Sequence, residues 1–385
     1  MKSSVYDPTL VFDFADGRGR PRRLCFSRPV EVVEARSVGE VRPALRRVEE
    51  AACRGLYAGG FVAYEAAPAF DPSLVVRARG AAGALPLLWF ALFSAPDAHG
   101  PVEDVRARFS VSDWSPSVGR PAYERSVAAV REAVARGDTY QTNYTFRLRA
   151  HFAGDALAFY RHLSARQRAD YCAFLDTGRH KILSASPELF FRLSGRHIFA
   201  RPMKGTARRG RTPEADAAQS RWLEGSEKNR AENVMIVDLM RNDLGRVAET
   251  GTVRVSDLCR VEAYPTVFQM TSAVEATLRD GATLEDVLAA LFPSGSVTGA
   301  PKVSTMRLVA ALENSPRGVY CGSVGLIEPG GAAVFNVAIR TAVIDAGTGA
   351  AEYGVGGGIT WDSAAREEYD EALAKAALLK AVHGQ

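Results

Sequence analysis

At 385 residues, with 47% apolar and 24% charged side chains, the chain has the size and balance of a soluble globular protein of one large or two ordinary domains. Its net charge of +4 is spread without Lys/Arg blocks, which excludes the concentrated basic stripe that nucleic-acid binding requires. No apolar run approaches the ~18 residues of a membrane span and the first residues hold no apolar leader core. The five cysteines (25, 53, 172, 259, 321) are isolated, so a cytoplasmic protein with reduced thiols is the expectation.

Along the chain, residues 1–95 read as short strands with one helix near 40–54, and "GGFVAYEAAPAF" and "LPLLWFALF" are the apolar strand candidates. Turn formers in "APDAHGP" and "DWSPSVGRP" mark a shallow boundary between an N-terminal segment, 1–110, expected to add its strands and helix to the sheet sandwich, and a body, 111–385, read as the catalytic part. Pro121 opens a helix with Tyr123, Val127, Val130 and Val134 at helical spacing, and Gly137 stops it. In "DTYQTNYTFRLRA", Tyr140, Thr142, Tyr144, Phe146 and Leu148 face one way and Gln141, Asn143, Thr145 and Arg147 the other. A second alternating region covers 171–201. Thr212-Pro213 starts a helix, and Ser226 caps another to about Leu244. Strands near 252–276, 318–328, 332–344 and 350–356 follow, with a helix over 301–313. Ser363 is expected to cap a last helix reaching Val382. Strands in runs with helices between the groups predict an α+β protein with large, mostly antiparallel sheets.

Several side chains carry possible chemistry. Of the 48 basic residues only seven are Lys, and one of them, Lys204, sits in "ARPMKGTARRG" among Arg201, Arg208, Arg209 and Arg211. An arginine stays protonated, whereas a lysine crowded by positive charge or desolvated can become a nucleophile, and the arginines are expected to depress its pKa. Glu368, Glu371 and Lys375 share a face of the last helix. The glycine-rich run in "YGVGGGITWDS", leading to that helix, is expected to expose backbone N–H groups that suit an anion. Such a cradle beside two carboxylates suggests a divalent cation bridging protein and anionic substrate. Glu232 offers a third carboxylate on an otherwise apolar helix face, while Asp238, Asn242 and Asp243 read as structural. "FPSGSVTGAPKVSTM" fails phosphate-loop spacing, although Pro301 at a helix N1 position places Thr298 and Gly299 near a positive helix end. The chain shows no Ser-His-Asp order and no zinc motif.

The stretches "GDTYQTNY", "RPMKGTARRG", "KNRAENVMIVDLMRNDLGRV", "FPSGSVTGAPKVSTM", "RGVYCGSVG", "FNVAIRT" and "GVGGGITWDSAAREEYDEALAKA", in this order over 137–377, resemble the chorismate-utilising enzyme family: anthranilate, aminodeoxychorismate, isochorismate and salicylate synthases. The resemblance implies two large sheets packed face to face, flanked by helices, with the active site in the cleft between them. Water-using members carry a base lysine where this chain has Gln141, which implies ammonia as nucleophile. Lys204 stands where anthranilate synthases usually carry Ala and matches the aminodeoxychorismate branch. There it implies a covalent adduct at C2 of chorismate that ammonia then displaces at C4, giving 4-amino-4-deoxychorismate on the route to 4-aminobenzoate and folate. Gln269 replaces the His associated with pyruvate elimination.

The resemblance assigns catalysis to Lys204, Glu232 and Thr206. It assigns Mg²⁺ to Glu232, Glu368 and Glu371, and chorismate to Gly205, Thr298, Tyr320, Arg340, Gly356, Gly357, Gly358 and Lys375. With no fused glutaminase before Gln385, ammonia is expected from a separate glutamine amidotransferase subunit. The alternatives are an anthranilate synthase component I, another amino-chorismate-forming enzyme, or a non-catalytic chorismate-binding subunit. No tryptophan-feedback signature is found near the N-terminus.

Overall fold

A computed structural model describes residues 8–17, 19–78, 80, 85–101, 107–264 and 267–379. β1 (Thr9–Ala15) and β2 (Pro21–Phe26) form a hairpin, and β3 (Glu31–Ala35) leads into α1 (Val38–Cys53). A capping box of Ser37 and Glu40 starts α1, which buries Val41, Leu45, Val48 and Ala52 along one stripe. The "GGFVAYEAAPAF" run is strand only in its first half. β4 (Tyr57–Val62) gives way to a tight turn and to the single-turn helix α2 (Ala67–Phe70), where Pro68 removes a ladder donor. β5 (Leu88–Phe93), β6 (Phe109–Val111), β7 (Ser115–Pro116) and α3 (Arg120–Ala135) precede the long β8 (Gln141–Gly154). A helix that the sequence pattern did not disclose, α4 (Ala156–Gln167), starts at Asp155, whose Oδ1 accepts from the Ala158 amide at 2.7 Å.

The region 171–201 resolves into β9 (Tyr171–Asp176), β10 (His180–Ser186), β11 (Leu189–Ser194) and β12 (His197–Arg201), followed by β13 (Met203–Arg208). α5 (Pro213–Gly225) and α6 (Glu227–Gly245) start at Thr212 and Ser226 as expected, each hydroxyl accepting from a first-turn amide. β14 (Arg254–Val255), β15 (Arg260–Ala263), β16 (Val267–Thr271), β17 (Val274–Thr277), α7 (Leu284–Leu291) and β18 (Gly299–Ala300) come next. The chain then forms α8 (Lys302–Leu312), β19 (Ser323–Ile327), β20 (Ala333–Val337), β21 (Thr341–Asp345), β22 (Ala350–Ile359) and α9 (Ala365–Ala374).

Three boundaries differ from expectation. Pro301 is the N-cap of α8, one position before N1. The strand expected from residue 318 begins only at Ser323, because 318–322 turn. Ala364, not Ser363, caps α9, and the Ser363 hydroxyl instead donates to Glu368 Oε1 at 2.7 Å. The expected continuation of that helix to Val382 lies outside the described residues.

Among the described residues every strand pair is antiparallel. One ten-stranded sheet runs β18-β8-β22-β21-β10-β9-β1-β2 with β6 and β7 beside β8, and one nine-stranded sheet runs β14-β17-β12-β11-β20-β19-β4-β5-β3. The two face each other across Leu10, Phe12, Phe26, Phe61, Trp89, Leu175, Ile182 and Val324. The approach is close: a Cβ on Gly59 would stand 2.8 Å from Leu10 and Phe12. α3, α4 and α9 cover the outer face of the first sheet, while α1, α6, α7 and α8 contribute to the core on the outer face of the second. A third sheet, β13-β16-β15, carries Lys204.

Candidate active site

The polar face of β8 is buried from Gln141 to Arg147, just as its aromatic face is. On the aromatic side, Tyr123 of α3 and Tyr369 of α9 pack against Tyr144 and Phe146. On the polar side, Gln141, Asn143 and Thr145 form a wall, a use of alternation that needs no solvent.

Next to β8 lies β22, and here the structure corrects the glycine-run reading. Gly356, Gly357 and Gly358 are strand residues paired with Thr145, Tyr144 and Asn143. Their contribution is the space left by missing side chains. A Cβ on Gly357 would touch Glu368 Oε2 and Lys375 Nζ, each at 3.4 Å. A Cβ on Gly358 would collide with the Gln141 amide nitrogen and reach Lys204 Nζ at 3.4 Å. The glycines are therefore the floor around which both lysines, Gln141 and Glu368 gather.

Lys204 is aimed there by its own strand. The β13–β16 register shifts between Met203 and Thr206, and Gly205 takes φ +79°, a bulge that re-aims the side chain between them. Lys204 Nζ donates to the Ser296 carbonyl at 3.1 Å. Burial pushes its pKa down, against the upward pull of Glu232 and Glu188, with Lys375 lowering it further. The arginines next to it in sequence do not supply this shift. Arg201 is bound to Glu262 and Arg209 to Asp216, so their charge is spent elsewhere.

Glu188 was not among the sequence candidates. It lies between β10 of the first sheet and β11 of the second, 3% exposed, with Oε1 meeting no protein partner. Burial pushes its carboxyl up to about 7, against hydrogen bonding from Ser296 and the charge of Lys204. Its only sequence signal is a glutamate inside the apolar "SPELFF". Its nearness to Lys204 comes from the crossing between sheets.

Glu232 on α6 accepts from Gln141 Nε2 at 3.3 Å, while Gln141 Oε1, in a residue 1% exposed, is left without a protein partner. Glu368 is buried, with a pKa raised by burial; Ser363 holds one of its oxygens and Lys228 stands 4.0 Å away. Lys375 Nζ bonds Glu371 Oε1 at 3.0 Å and the Gly356 carbonyl at 2.9 Å, and this ion pair holds the exposed Glu371 below the usual carboxylate range.

Other predicted residues are placed around this centre. Thr206 is exposed and donates to Gln269 Oε1 at 3.1 Å, and Gln269 Nε2 donates to the Gly205 carbonyl at 2.9 Å. Thr298 is fully buried with its hydroxyl on the Ser294 carbonyl. Arg340, at φ +53°, donates to the Lys375 carbonyl. Tyr320 lies under Arg147, and Gly354 leaves room for its ring. Asp238 pairs with Arg241 and Asp243 with Lys302, the structural roles expected of them.

The donor set suits magnesium. Glu232 and Glu368 offer hard oxygens from two helices, and Glu368 Oε2 faces the glycine floor. Among the described residues no three acidic, His or Cys side chains close into a cage. Glu371, the third carboxylate of the expected set, is instead paired with Lys375, so the three-carboxylate arrangement is not assembled.

The family described as chorismate binding enzyme matches residues 94–381. The chain belongs to that family. Relatives of two kinds align equally well. The aminodeoxychorismate synthase component 1 of Salmonella typhimurium is 41% identical over 69% of this chain and 58% of its own length. The anthranilate synthase component 1 of Aquifex aeolicus is 41% identical over 70% of this chain and 54% of its own. The chain thus spans little more than half the length of these relatives. The solved anthranilate synthase component I of Streptococcus pneumoniae superposes with a TM-score of 0.78 at 25% identity, over 99% of this chain and 94% of that one. No helix among the described residues is long and apolar enough to cross a membrane.

Proposed function

We propose that this chorismate-binding enzyme aminates chorismate at C4 to give 4-amino-4-deoxychorismate, with Lys204 as covalent nucleophile. The observation that carries the reading is the half-buried Lys204 amine, held on the Ser296 carbonyl, in the field of Glu188, a carboxyl that keeps its proton to about pH 7. A lysine with a depressed pKa supplies the neutral amine that attack requires. It adds at C2, the two ring double bonds shift, and the C4 hydroxyl takes the Glu188 proton and leaves as water. Ammonia then adds at C4, the double bonds shift back, the Lys204 amine leaves C2, and the ammonium formed at C4 returns a proton to Glu188. The net exchange is one ammonia for one water.

Gln141 fits ammonia as the incoming group. Its orphan Oε1 accepts an N–H, and it has no basic atom with which to activate water. Glu232 and Glu368 would hold Mg²⁺, which when bound neutralises the substrate carboxylate and draws electron density toward it. Lys375, beside Gly356, supplies a further positive charge for an anionic substrate. Gln269 supports a reaction that stops at the amino intermediate. Both ends of its amide are bound to Gly205 and Thr206, and the position holds no group able to shuttle a proton for pyruvate loss. Ammonia would come from a separate glutamine amidotransferase subunit; the Salmonella relative carries the name component 1.

The test is incubation with chorismate, Mg²⁺ and ammonium, with and without a lyase that releases 4-aminobenzoate. The expected product is 4-aminobenzoate only when the lyase is present. Anthranilate without the lyase would assign the chain to the other branch.

A further inference from the structure

Behind the polar wall of β8 lies a buried ionic cluster that contacts none of the reacting groups assigned above. Arg317 is 4% exposed and grips Glu313 with two bonds, Nε to Oε2 at 3.0 Å and Nη2 to Oε1 at 2.7 Å. The same guanidinium donates to the Val297 carbonyl and to the Asn143 carbonyl, both at 2.7 Å. Glu313 Oε1 also accepts from the Thr145 amide at 2.9 Å and from its hydroxyl at 2.7 Å. Glu65, from the N-terminal segment, accepts the Arg317 and Gly318 amides at 2.6 and 2.9 Å, and the guanidinium lies 4.4 Å from the Tyr64 ring centre. A buried charge with this many satisfied partners has one low-energy position.

The two carbonyls it holds belong to the two walls of the site. Val297 adjoins Ser296, whose carbonyl receives Lys204, and Asn143 lies opposite Gly358 on β22. Asn143 ties the walls again, Nδ2 to the Val297 carbonyl at 3.1 Å and its amide to the Thr298 carbonyl at 2.8 Å. We propose that Arg317, braced by Glu313 and Glu65, is a positioning residue that sets the distance between the Lys204-binding loop and the glycine floor. The proposal rests on the reading of Lys204 as nucleophile.

The test compares Arg317→Lys with the parent. Lysine keeps the charge against Glu313 but is a point donor that cannot fork onto two carbonyls. The circular dichroism spectrum is expected to match the parent's, while the melting temperature falls by several degrees because lysine leaves buried acceptors unpaired. kcat falls about 10²-fold, the cost of a misplaced reacting group. KM for chorismate moves less than about threefold, since Gly356 to Gly358 and Lys375 are untouched. In a Lys204→Ala background the same change costs less than about threefold more, because both act through one amine. Hydrogen exchange reads the clamp without turnover: the Asn143, Val297 and Thr298 amides lose protection while β19 and β20 keep theirs.

Full additivity with Lys204→Ala, or unchanged exchange at those amides, overturns the clamp. Loosened amides in a chain whose parent consumes no chorismate overturn the reading of Lys204 and leave the loop contact standing. If Arg317→Lys fails to fold, Glu65→Gln removes one acceptor from beneath the Arg317–Gly318 backbone, and kcat should fall about tenfold with KM held.

Discussion

Lys204 and Glu188 acquire their chemistry from the same enclosure, in opposite senses: burial pushes the amine toward neutrality and the carboxyl toward its protonated form. On the proposed reading, an amine moved toward neutrality beside a carboxyl that holds its proton serves as the nucleophile and the acid for displacement of a hydroxyl. Lys204→Ala should therefore lose at least about 10³-fold in kcat while still binding chorismate, read by steady-state assay beside calorimetric titration. Lys204→Arg should not recover the rate, because a guanidinium keeps its proton. Glu188→Gln should cost about 10² to 10⁴-fold in kcat. It also has a stability signature. The native carboxyl titrates near 7 against 4.5 for an ordinary glutamate, so the folded chain binds that proton more tightly than the unfolded one. Stability of the parent falls as pH rises from about 4.5 to 7 by up to roughly 3 kcal/mol, and a neutral glutamine does not share the loss. The melting temperature of Glu188→Gln relative to the parent should rise between pH 5 and pH 8. A constant difference across that range would refute the buried-acid assignment.

At the scale of elements, β22 shows how a sequence pattern can mark the right place for the wrong reason. Three consecutive glycines, which lack strand propensity, read as a run of exposed backbone N–H groups, yet they pair with β8 as part of β22. Gly358→Ala tests this. The strand conformation tolerates alanine, but the added carbon meets the Gln141 amide, so chorismate affinity should drop tenfold or more while the melting temperature moves by only a few degrees. A variant that binds normally would place the floor elsewhere. The helices that start at Thr212 and Ser226 were legible because capping is local. α4 was not: its Asp155 cap was in plain sight, but its short apolar set, Phe159, Tyr160 and Leu163, follows directly on the alternation of β8. Glu232, Glu368 and Lys375 were legible through helix periodicity and family resemblance. Glu188, the Ser296 carbonyl and the Arg317 clamp were not, since each depends on which strands cross between sheets. The same limit explains the error over the arginines near Lys204, whose partners Glu262 and Asp216 lie on other elements.

For the whole molecule, the boundary suggested near residue 110 has a physical consequence. The family match begins at residue 94, yet β1 pairs with β9, β4 pairs with β19, and β3 and β5 complete the second sheet's edge. Without residues 1–93, β9 and β19 would each expose a full row of unpaired backbone groups. The intersheet core would also lose Leu10, Phe12, Phe14, Phe26, Phe61, Trp89 and Phe93, drawn from both sheets. A core stripped of seven such side chains forfeits roughly 10–20 kcal/mol, at least comparable to the 5–15 kcal/mol that holds a domain folded. Residues 94–385 expressed alone should therefore be insoluble or should bind a hydrophobic dye, with little near-ultraviolet dichroism. Adding residues 1–93 as a separate chain during refolding should restore both the dichroism and chorismate binding, because Glu65 returns with them to brace Arg317. A monomeric, cooperatively melting 94–385 fragment would show instead that the N-terminal strands are an accessory layer, and the Glu65 brace would then be dispensable for the site.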